Sequence, residues 1–385
     1  MSTITIVGGG PVGATLALAL AQQGVSATVL EARQGPPDTD PRAIALADGS
    51  RLILQRLGVW EALQPKVTPI RTIHVSERGR LGRTILRAEE LERDALGYVV
   101  NYSDLAGSIN AAMESAGVEI RRGAAVSDVT PGTVFSTVHY RQDGQTHEMQ
   151  SSLAVLADGG RSLEGISHLQ RKTREYGQCA LVARVRSELP HDGVAYERFT
   201  PKGPVALLPW GESRDFALVW TATPERAAEL SGLDEQEFLT QLHTHFGDRL
   251  GHFEAVSGRN IFPLKMAWVR PVATDRVVFI GNAAQTLHPV AGQGFNLGLR
   301  DAWELSRLIL SAPEDAGSPA ILEAYRTSRR MDTGGGMLFT DLLVRAFSND
   351  APGLGFIRGA GLGALELLGP ARSFLMRKMS FGARG

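Results

Sequence analysis

The chain has a single cysteine, Cys179, among 385 residues. It can close no internal disulfide and offers no companion for a thiolate metal site, as suits a reducing compartment. An excess of one charge is also missing: 40 Lys and Arg stand against 41 Asp and Glu, so nothing draws the molecule as a whole toward nucleic acid. No apolar run reaches the ~20 residues that span a bilayer, so membrane contact is expected only at the surface. No basic residue precedes Arg33, and the apolar stretch Val12–Ala21 therefore reads as a buried helix rather than the core of a secretory leader. Internal repeats and low-complexity linkers are absent as well.

Glycine is plentiful. The 43 glycines amount to about 11% of the chain against the usual ~7%, and they cluster where backbone must approach something closely. The length suits about two or three packed units.

Apolar Ile4–Val7, the glycine run that follows, an Ala/Leu-rich segment to Gln23 and apolar Ala27–Leu30 predict a βαβ unit. Helices are expected over Asp48–Leu57 and from Ser103 to just before Gly117, and strands over 118–121, 135–141 and 153–156, with Asp143-Gly144 as a hairpin turn. From Gly177 to Trp268 the pattern becomes alternating: strands over 180–185, 194–199, 205–209 and 216–221, and one helix over 234–246. Strand 277–280 and helix 296–310 restore the α/β character. The expected fold is α/β: a discontinuous Rossmann-like dinucleotide-binding domain (1–70, 98–175 and 263–345), an inserted β-rich substrate domain (71–97 and 176–262), and a C-terminal helical segment (346–385). Gly334-Gly335-Gly336 is a hinge candidate or a helix break. The final segment mixes Arg358, Arg372, Arg377, Lys378 and Arg384 with apolar residues and one acid, Glu366. It reads as a helical subdomain packed on the body, a reading compatible with a basic amphipathic surface for a membrane.

Gly8, Gly10 and Gly13 form a GxGxxG hexad between strand and helix, with Glu31 ending the next strand. Gly8 permits the turn, Gly10 lets backbone reach a pyrophosphate, Gly13 lets helix and sheet approach, and Glu31 can accept hydrogen bonds from ribose hydroxyls. A second match at Gly359–Ala364 has no strand before it and no room for an acidic strand after it, so one dinucleotide is expected. Two further segments, Leu153–Ser162 and Arg276–Ala284, put Asp158, Gly159 and Asn282 at the carboxyl ends of strands, where doubly wound sheets bind ligands. The run Leu287–Gly298 then supplies bare backbone and a helix N-terminus suited to a negative charge.

These three ordered motifs resemble the FAD-dependent aromatic hydroxylases of the para-hydroxybenzoate hydroxylase fold, over nearly the whole chain. Within that family the stretches Arg42–Leu46, Thr72–Ser76, Glu197–Thr200 and above all Gly281–Pro289 look most like the branch that hydroxylates 2-polyprenyl-6-methoxyphenol in ubiquinone biosynthesis. The resemblance implies FAD as cofactor, NAD(P)H as co-substrate, O2 and a polyprenyl-phenol as substrates, no metal, and a cytoplasmic location peripheral to the inner membrane or within a biosynthetic complex. It leaves the oligomeric state open. By the same resemblance Gly8, Gly10, Gly13 and Glu31 hold the nucleotide, Arg42 lies near the pyrophosphate or flavin, and Val126 meets adenine through its backbone. Asp158 and Gly159 sit beside the shared FAD and reductant site, Asn282 contacts the ribityl or pyrophosphate region, and Pro289, Gly292, Gly294 and Asn296 border the flavin ring. Asn282 stands where most of the wider family has Asp, which matches the ubiquinone branch. After Ser162 the chain reads Leu163-Glu164-Gly165, without the arginine that often follows the Asp-Gly turn.

No side-chain base is assigned. His74 and His288 are candidates by location, each with a structural role as the simpler reading, and His243 and His245 point to different helix faces and are no chelating pair. Tyr196, Phe199, Trp210 and Trp220 are candidates for a cavity wall. Competing readings are a hydroxylase of another ring position or of a soluble phenol, a polyprenyl reductase, and a non-catalytic flavin scaffold or redox sensor. A halogenase is disfavoured because no Trp-x-Trp-x-Ile stretch occurs.

Overall fold

Ile4–Val7 is buried along its whole length, as a strand covered on both faces must be. The computed structural model places it inside a six-stranded sheet ordered Ala273–Thr274, Val277–Phe279, Leu153–Leu156, Ile4–Val7, Ala27–Glu31, Glu119–Arg122. Its pairings are parallel except at the two-residue edge strand. The structure describes residues 3–35, 40, 42–79, 82–163, 166, 169–200, 203–287, 292–347 and 354–382, without the side chains of 333, 335–347, 354–358 and 360.

Helix Pro11–Ala21 packs on this sheet. It is apolar all round, with Leu16, Leu18 and Leu20 at 0 or 1% exposure, because the sheet lies on one side and helices Tyr102–Ser115 and Gln293–Ser311 lie on others. Each such leucine stabilises the fold by about 1.5–3 kcal/mol through burial. Gly298 lets the last of these helices come close, since a Cβ there would lie 2.9 Å from Val12 Cγ2.

The larger sheet has eight strands: Gln285–Thr286, Phe253–Arg270, Gln170–Ser187, Asp215–Ala222, Val205–Pro209, Val194–Phe199, Thr72–Glu77 and Arg83–Arg87. Strands 170–187 and 253–270 are each 18 residues long, where the sequence suggests one short strand and none. The outer part of the first, Gln170–Glu175, is exposed and rich in charge, pairs with Lys265–Arg270 and shows no apolar alternation. The expected domain boundaries at 175/176 and 262/263 fall inside these two strands. Helices Pro224–Gly232, which the sequence reading missed, and Glu235–Phe246 cover one face of the sheet; Asp234 caps the second by accepting from Glu237 N at 2.8 Å. The face beneath them buries Leu181, Val185, Leu207, Phe216, Leu218 and Trp220.

Gly334–Gly336 does not break the helix, since Pro319–Phe347 runs through it. The second GxGxxG match lies within helix Leu354–Leu367. That helix and Gly369–Phe381 pack on the body, with Met376 and Leu362 buried and Arg372 Nε 2.6 Å from Glu90. No described helix is long and apolar enough to cross a membrane.

A buried ion network ties the glycine turn after Phe279 to helices Gln293–Ser311 and Pro319–Phe347. Asp301 accepts from Gly281 N at 2.9 Å and Gln285 Nε2 at 2.6 Å, and pairs with Arg329 Nε at 2.7 Å. Arg329 also meets Asp332, which meets Arg300. Removing one partner strands the other charge, so Arg329→Met is expected to cost about 3–5 kcal/mol, measured as a lowered denaturant midpoint; a midpoint equal to wild type would contradict this.

Candidate active site

Gly8–Gly10 carries the chain from Ile4–Val7 into helix Pro11–Ala21. Gly8 has φ +101°, a conformation L side chains rarely adopt, and a Cβ there would lie 2.8 Å from Asp158 Cα. A Cβ on Gly13 would collide with the Gly8 carbonyl, whereas one on Gly10 would meet only open space. Pro11 opens the helix and no side chain caps it, so its first amides are free for an anion. Glu31, ending the next strand, accepts from Gly9 N at 2.8 Å and from Arg33 N and Nε at 3.0 and 2.8 Å. Burial raises its pKa, but the Arg33 hydrogen bonds and charge, with Gly9 N–H, outweigh this and hold the carboxyl below its ordinary value.

Gly8, Gly10, Pro11, Glu31 and Arg33 line one end of a cavity of about 1840 Å³. Arg42, Val126, Asp158, Gly159, Asn282, Gly292 and Gly294, all expected at the cofactor, line it too. Arg42 pairs with Asp40 at 2.6 Å and lies 5.3 Å from the Tyr102 ring and 5.6 Å from that of Phe262, which links the glycine-turn side to strand 253–270. Asp158 is a turn former, its carboxylate accepting from Gly160 N, Ser162 N and Ser162 Oγ at 2.6–2.9 Å. Arg161, absent from the sequence expectation, also lines the cavity. It precedes Ser162, whereas the sequence reading sought a basic residue after it.

Two expected cofactor residues stand elsewhere. Gly13 serves the packing just described. Asn296 is 2% exposed and sits behind the wall: its Oδ1 accepts from Ala47 N and Ser50 Oγ, and its Nδ2 donates to Ala45 O and Gly292 O, all within 2.9 Å. It braces Gly292, the αL residue that opens helix Gln293–Ser311 without a side-chain cap. Pro289 and His288 lie outside the described residues.

Beyond the nucleotide end the cavity runs under the uncovered face of the eight-stranded sheet. Alternation puts small residues there, among them Ala180, Val182, Ala206, Ala217 and Val219, opposite the bulky set that faces the helices. Trp210 lines the cavity with the Arg184 guanidinium 4.5 Å from its ring, and Phe199 packs with Val75 and Leu362. Trp220 faces the other way, 6.0 Å from the Phe238 ring; Tyr196 is among the residues that line the cavity, while its ring lies on the helix side, 5.6 Å from that of Phe246. His74 is also on that side, 5.8 Å from Tyr196. Burial, with Arg249, Arg83 and Arg198 nearby, lowers its pKa to about 4, so it is neutral near pH 7, and it is not among the residues that line the cavity. His245 meets Thr200 Oγ1 at 3.1 Å and His243 meets Asp248 at 3.0 Å.

Glu197 is the acid that sequence reasoning missed. It faces the cavity from strand 194–199 with no hydrogen bond or ion pair among the described residues. It keeps one edge on the cavity and is otherwise packed in protein, and this burial raises its pKa to about 7. Its signal lay in the alternation Ala195, Glu197, Phe199, a charge on an otherwise apolar strand face.

The glycine cradle, the carboxylate one strand away, two uncapped helix starts and Arg42 suit an adenine dinucleotide. Residues 1–333 match the FAD binding domain family, and the chain belongs to it: an FAD-dependent aromatic-ring monooxygenase with the expected Rossmann-like, β-rich and C-terminal helical parts. It is 34% identical to a ubiquinone hydroxylase of Rhodospirillum rubrum, over 98% of this chain and 89% of that protein. It is 31% identical to the 3-demethoxyubiquinol 3-hydroxylase of Escherichia coli, over 95% of each. In fold it matches p-nitrophenol 4-monooxygenase of Pseudomonas putida with a TM-score of 0.81, covering 100% of both chains at 18% identity.

Two outcomes are expected. Gly8→Ala puts a Cβ into backbone at a positive φ, so the purified variant should lose FAD affinity at least about tenfold, read by flavin absorbance after gel filtration; retained flavin would contradict the cradle. The raised Glu197 pKa means the folded state binds more protons than the unfolded one between pH 4.5 and about 7, so stability falls as pH rises through that window. Above it the apoprotein of Glu197→Gln should be the more stable by up to about 3 kcal/mol, at about 1.4 kcal/mol per tenfold. Thermal melts at acid and alkaline pH measure this difference, and an equal gap at both would refute it.

Proposed function

We propose that this protein uses NAD(P)H and O2 to hydroxylate the ring of a polyprenylated methoxyphenol in ubiquinone biosynthesis. The observation that carries this reading is the cavity's apolar arm. Past the sheet face it continues between Ile73, Val75 and Leu86 on one side and Leu362, Leu365 and Met379 of the C-terminal helices on the other, a lining suited to an isoprenoid chain and needless for a small soluble phenol. The kinship with ubiquinone hydroxylases supports the same reading.

FAD, when bound, would carry electrons from NAD(P)H and activate O2 for transfer to the ring. The chain's own part is to bind, orient and keep dry. Gly8, Gly10 and the start of helix Pro11–Ala21 would hold the pyrophosphate, Glu31 the ribose, and Val126 the adenine. Asp158, Gly159 and Asn282 would border the middle of the cofactor, with Arg42 beside it. The start of helix Gln293–Ser311, at Gly292 and Gly294, would set its positive end against the charge of a reduced flavin. The small, apolar sheet face would seat the ring and exclude water. The C-terminal helices leave Leu367 86%, Leu368 57% and Phe374 63% exposed, with Lys378 Nζ 5.6 Å from the Phe374 ring, a surface suited to membrane contact where a polyprenyl substrate resides.

The Escherichia coli relative's name favours a second reading, in which the substrate is a demethoxyubiquinol and a different ring carbon is attacked. One experiment separates the two. The purified holoenzyme is given a short-tail 2-prenyl-6-methoxyphenol, and product is counted against NAD(P)H and O2 consumed. Coupled formation of the 1,4-hydroquinone is expected. Product only from a short-tail demethoxyubiquinol would move the assignment to the second reading, and product from neither would remove the ubiquinone assignment. With the substrate in anionic vesicles, Phe374→Glu should slow turnover while leaving the rate on the short-tail analogue unchanged; equal rates in vesicles would argue against the membrane surface.

A further inference from the structure

Glu197 sits where the pleat gives it no choice of direction. In register it lies opposite Val75 on one side and Ala206 on the other. Its sequence neighbours Tyr196 and Arg198 point to the helix-covered face, where both pack on Phe246, so Glu197 points into the cavity with Ala195 and Phe199. Around it on that face are Ile73, Val75, Leu208 and, across the cavity, Leu362. The charged groups of the same wall are engaged elsewhere or distant in the sheet: Arg184 lies over Trp210, Lys265 is on strand 253–270, and Glu77, beside Phe199 in the register, has a partner of its own. A carboxyl without a partner in an apolar wall is costly to keep, and this one stands beyond the nucleotide end at the junction of sheet face and apolar arm, beside Ala206 of the face that would seat the ring and Val75 of the arm.

We propose that Glu197 is the catalytic residue that takes the hydroxyl proton of the phenol substrate. The inference rests on the phenol reading above. In the step, the phenol O–H bond breaks, its electron pair stays on the oxygen, and the proton passes to a Glu197 carboxylate oxygen; the carboxylic acid so formed returns the proton to solvent after turnover. Burial holds the carboxyl near pH 7, where a base is half ionised and still basic enough to pull on a phenol whose own pKa is ~10. Transfer becomes favourable as the ring gives electron density to the incoming oxygen, so the base acts during hydroxylation rather than before it.

The test compares wild type with Glu197→Gln, which keeps size and a hydrogen-bond acceptor but takes no proton, and with Glu197→Asp as the conservative variant. Retained flavin absorbance serves as the check of folding. Coupled hydroxylation is measured from about pH 5 to about pH 9 on a short-tail methoxyphenol and on a fluorinated analogue whose hydroxyl is ionised at the assay pH. With the ordinary phenol, Glu197→Gln should lose about 100-fold in kcat, with little change in KM and without the wild-type acid limb near pH 7. With the ionised analogue the loss should shrink below about tenfold, and Glu197→Asp should recover part of the rate. Equal losses on both phenols, or no loss, would overturn the role of Glu197 while leaving the phenol reading intact. Failure of wild type to hydroxylate any phenol would overturn the phenol reading itself and this inference with it.

Discussion

The two-residue period of the central strands of the eight-stranded sheet, kept on either side of the register shifts between 170–187 and 253–270, is the constraint on which the rest of the molecule depends. One face must be bulky enough to fill the space beneath two helices, and it is, with Phe216, Leu218 and Trp220 fully covered. The other face must be shallow enough to leave room, and alanines and valines alternate with those large residues on the same strands. A slip of one residue in any central strand would turn its large side chains into the cavity and its small ones into the core. Pairing over the length of strands 170–187 and 253–270 works against that slip, so the longest strands guard the geometry of the site.

The nucleotide end obeys a different rule, close approach of backbone. Gly8 against Asp158, Gly13 against Gly8 and Gly298 against Val12 and Gly281 bring two helices and two strand ends together where any side chain would separate them. The Asp301–Arg329 pair then holds the Gly281 turn from behind, and Asn296 does the same for Gly292. Polar residues behind the wall thus keep polar backbone at the wall in place, while the opposite sheet face is built mostly of small apolar residues, with Arg184, Glu197 and Lys265 as its charged exceptions.

Much of this was legible in the sequence, for reasons that differ by region. The βαβ start was plain because its signals are local: an apolar strand, glycines at fixed offsets and an acid at the next strand's end. Pro224–Gly232 and the outer halves of the two long strands were not, because the helix is short and Gln170–Glu175 gains its strand conformation from Lys265–Arg270, far along the chain. Asn296 was read as facing the cofactor because its helix does; which way an amide turns depends on Ala45, Ala47 and Ser50, distant in the chain. Glu197 was visible as a letter in a familiar stretch, yet its environment is made by three strands and a C-terminal helix that only folding assembles.

The C-terminal helix covers more than a cavity. Arg83–Arg87 is the last strand of its sheet, and an outer strand presents backbone donors that invite another chain to pair. Here Glu366 accepts from Ile85 N at 2.7 Å, and Leu362 O accepts from Thr84 Oγ1 at 2.6 Å. The same few residues of one helix therefore close the sheet against edge-to-edge association and close the apolar arm against water. Lifting this helix would uncover the sheet edge and the apolar arm at the same moment.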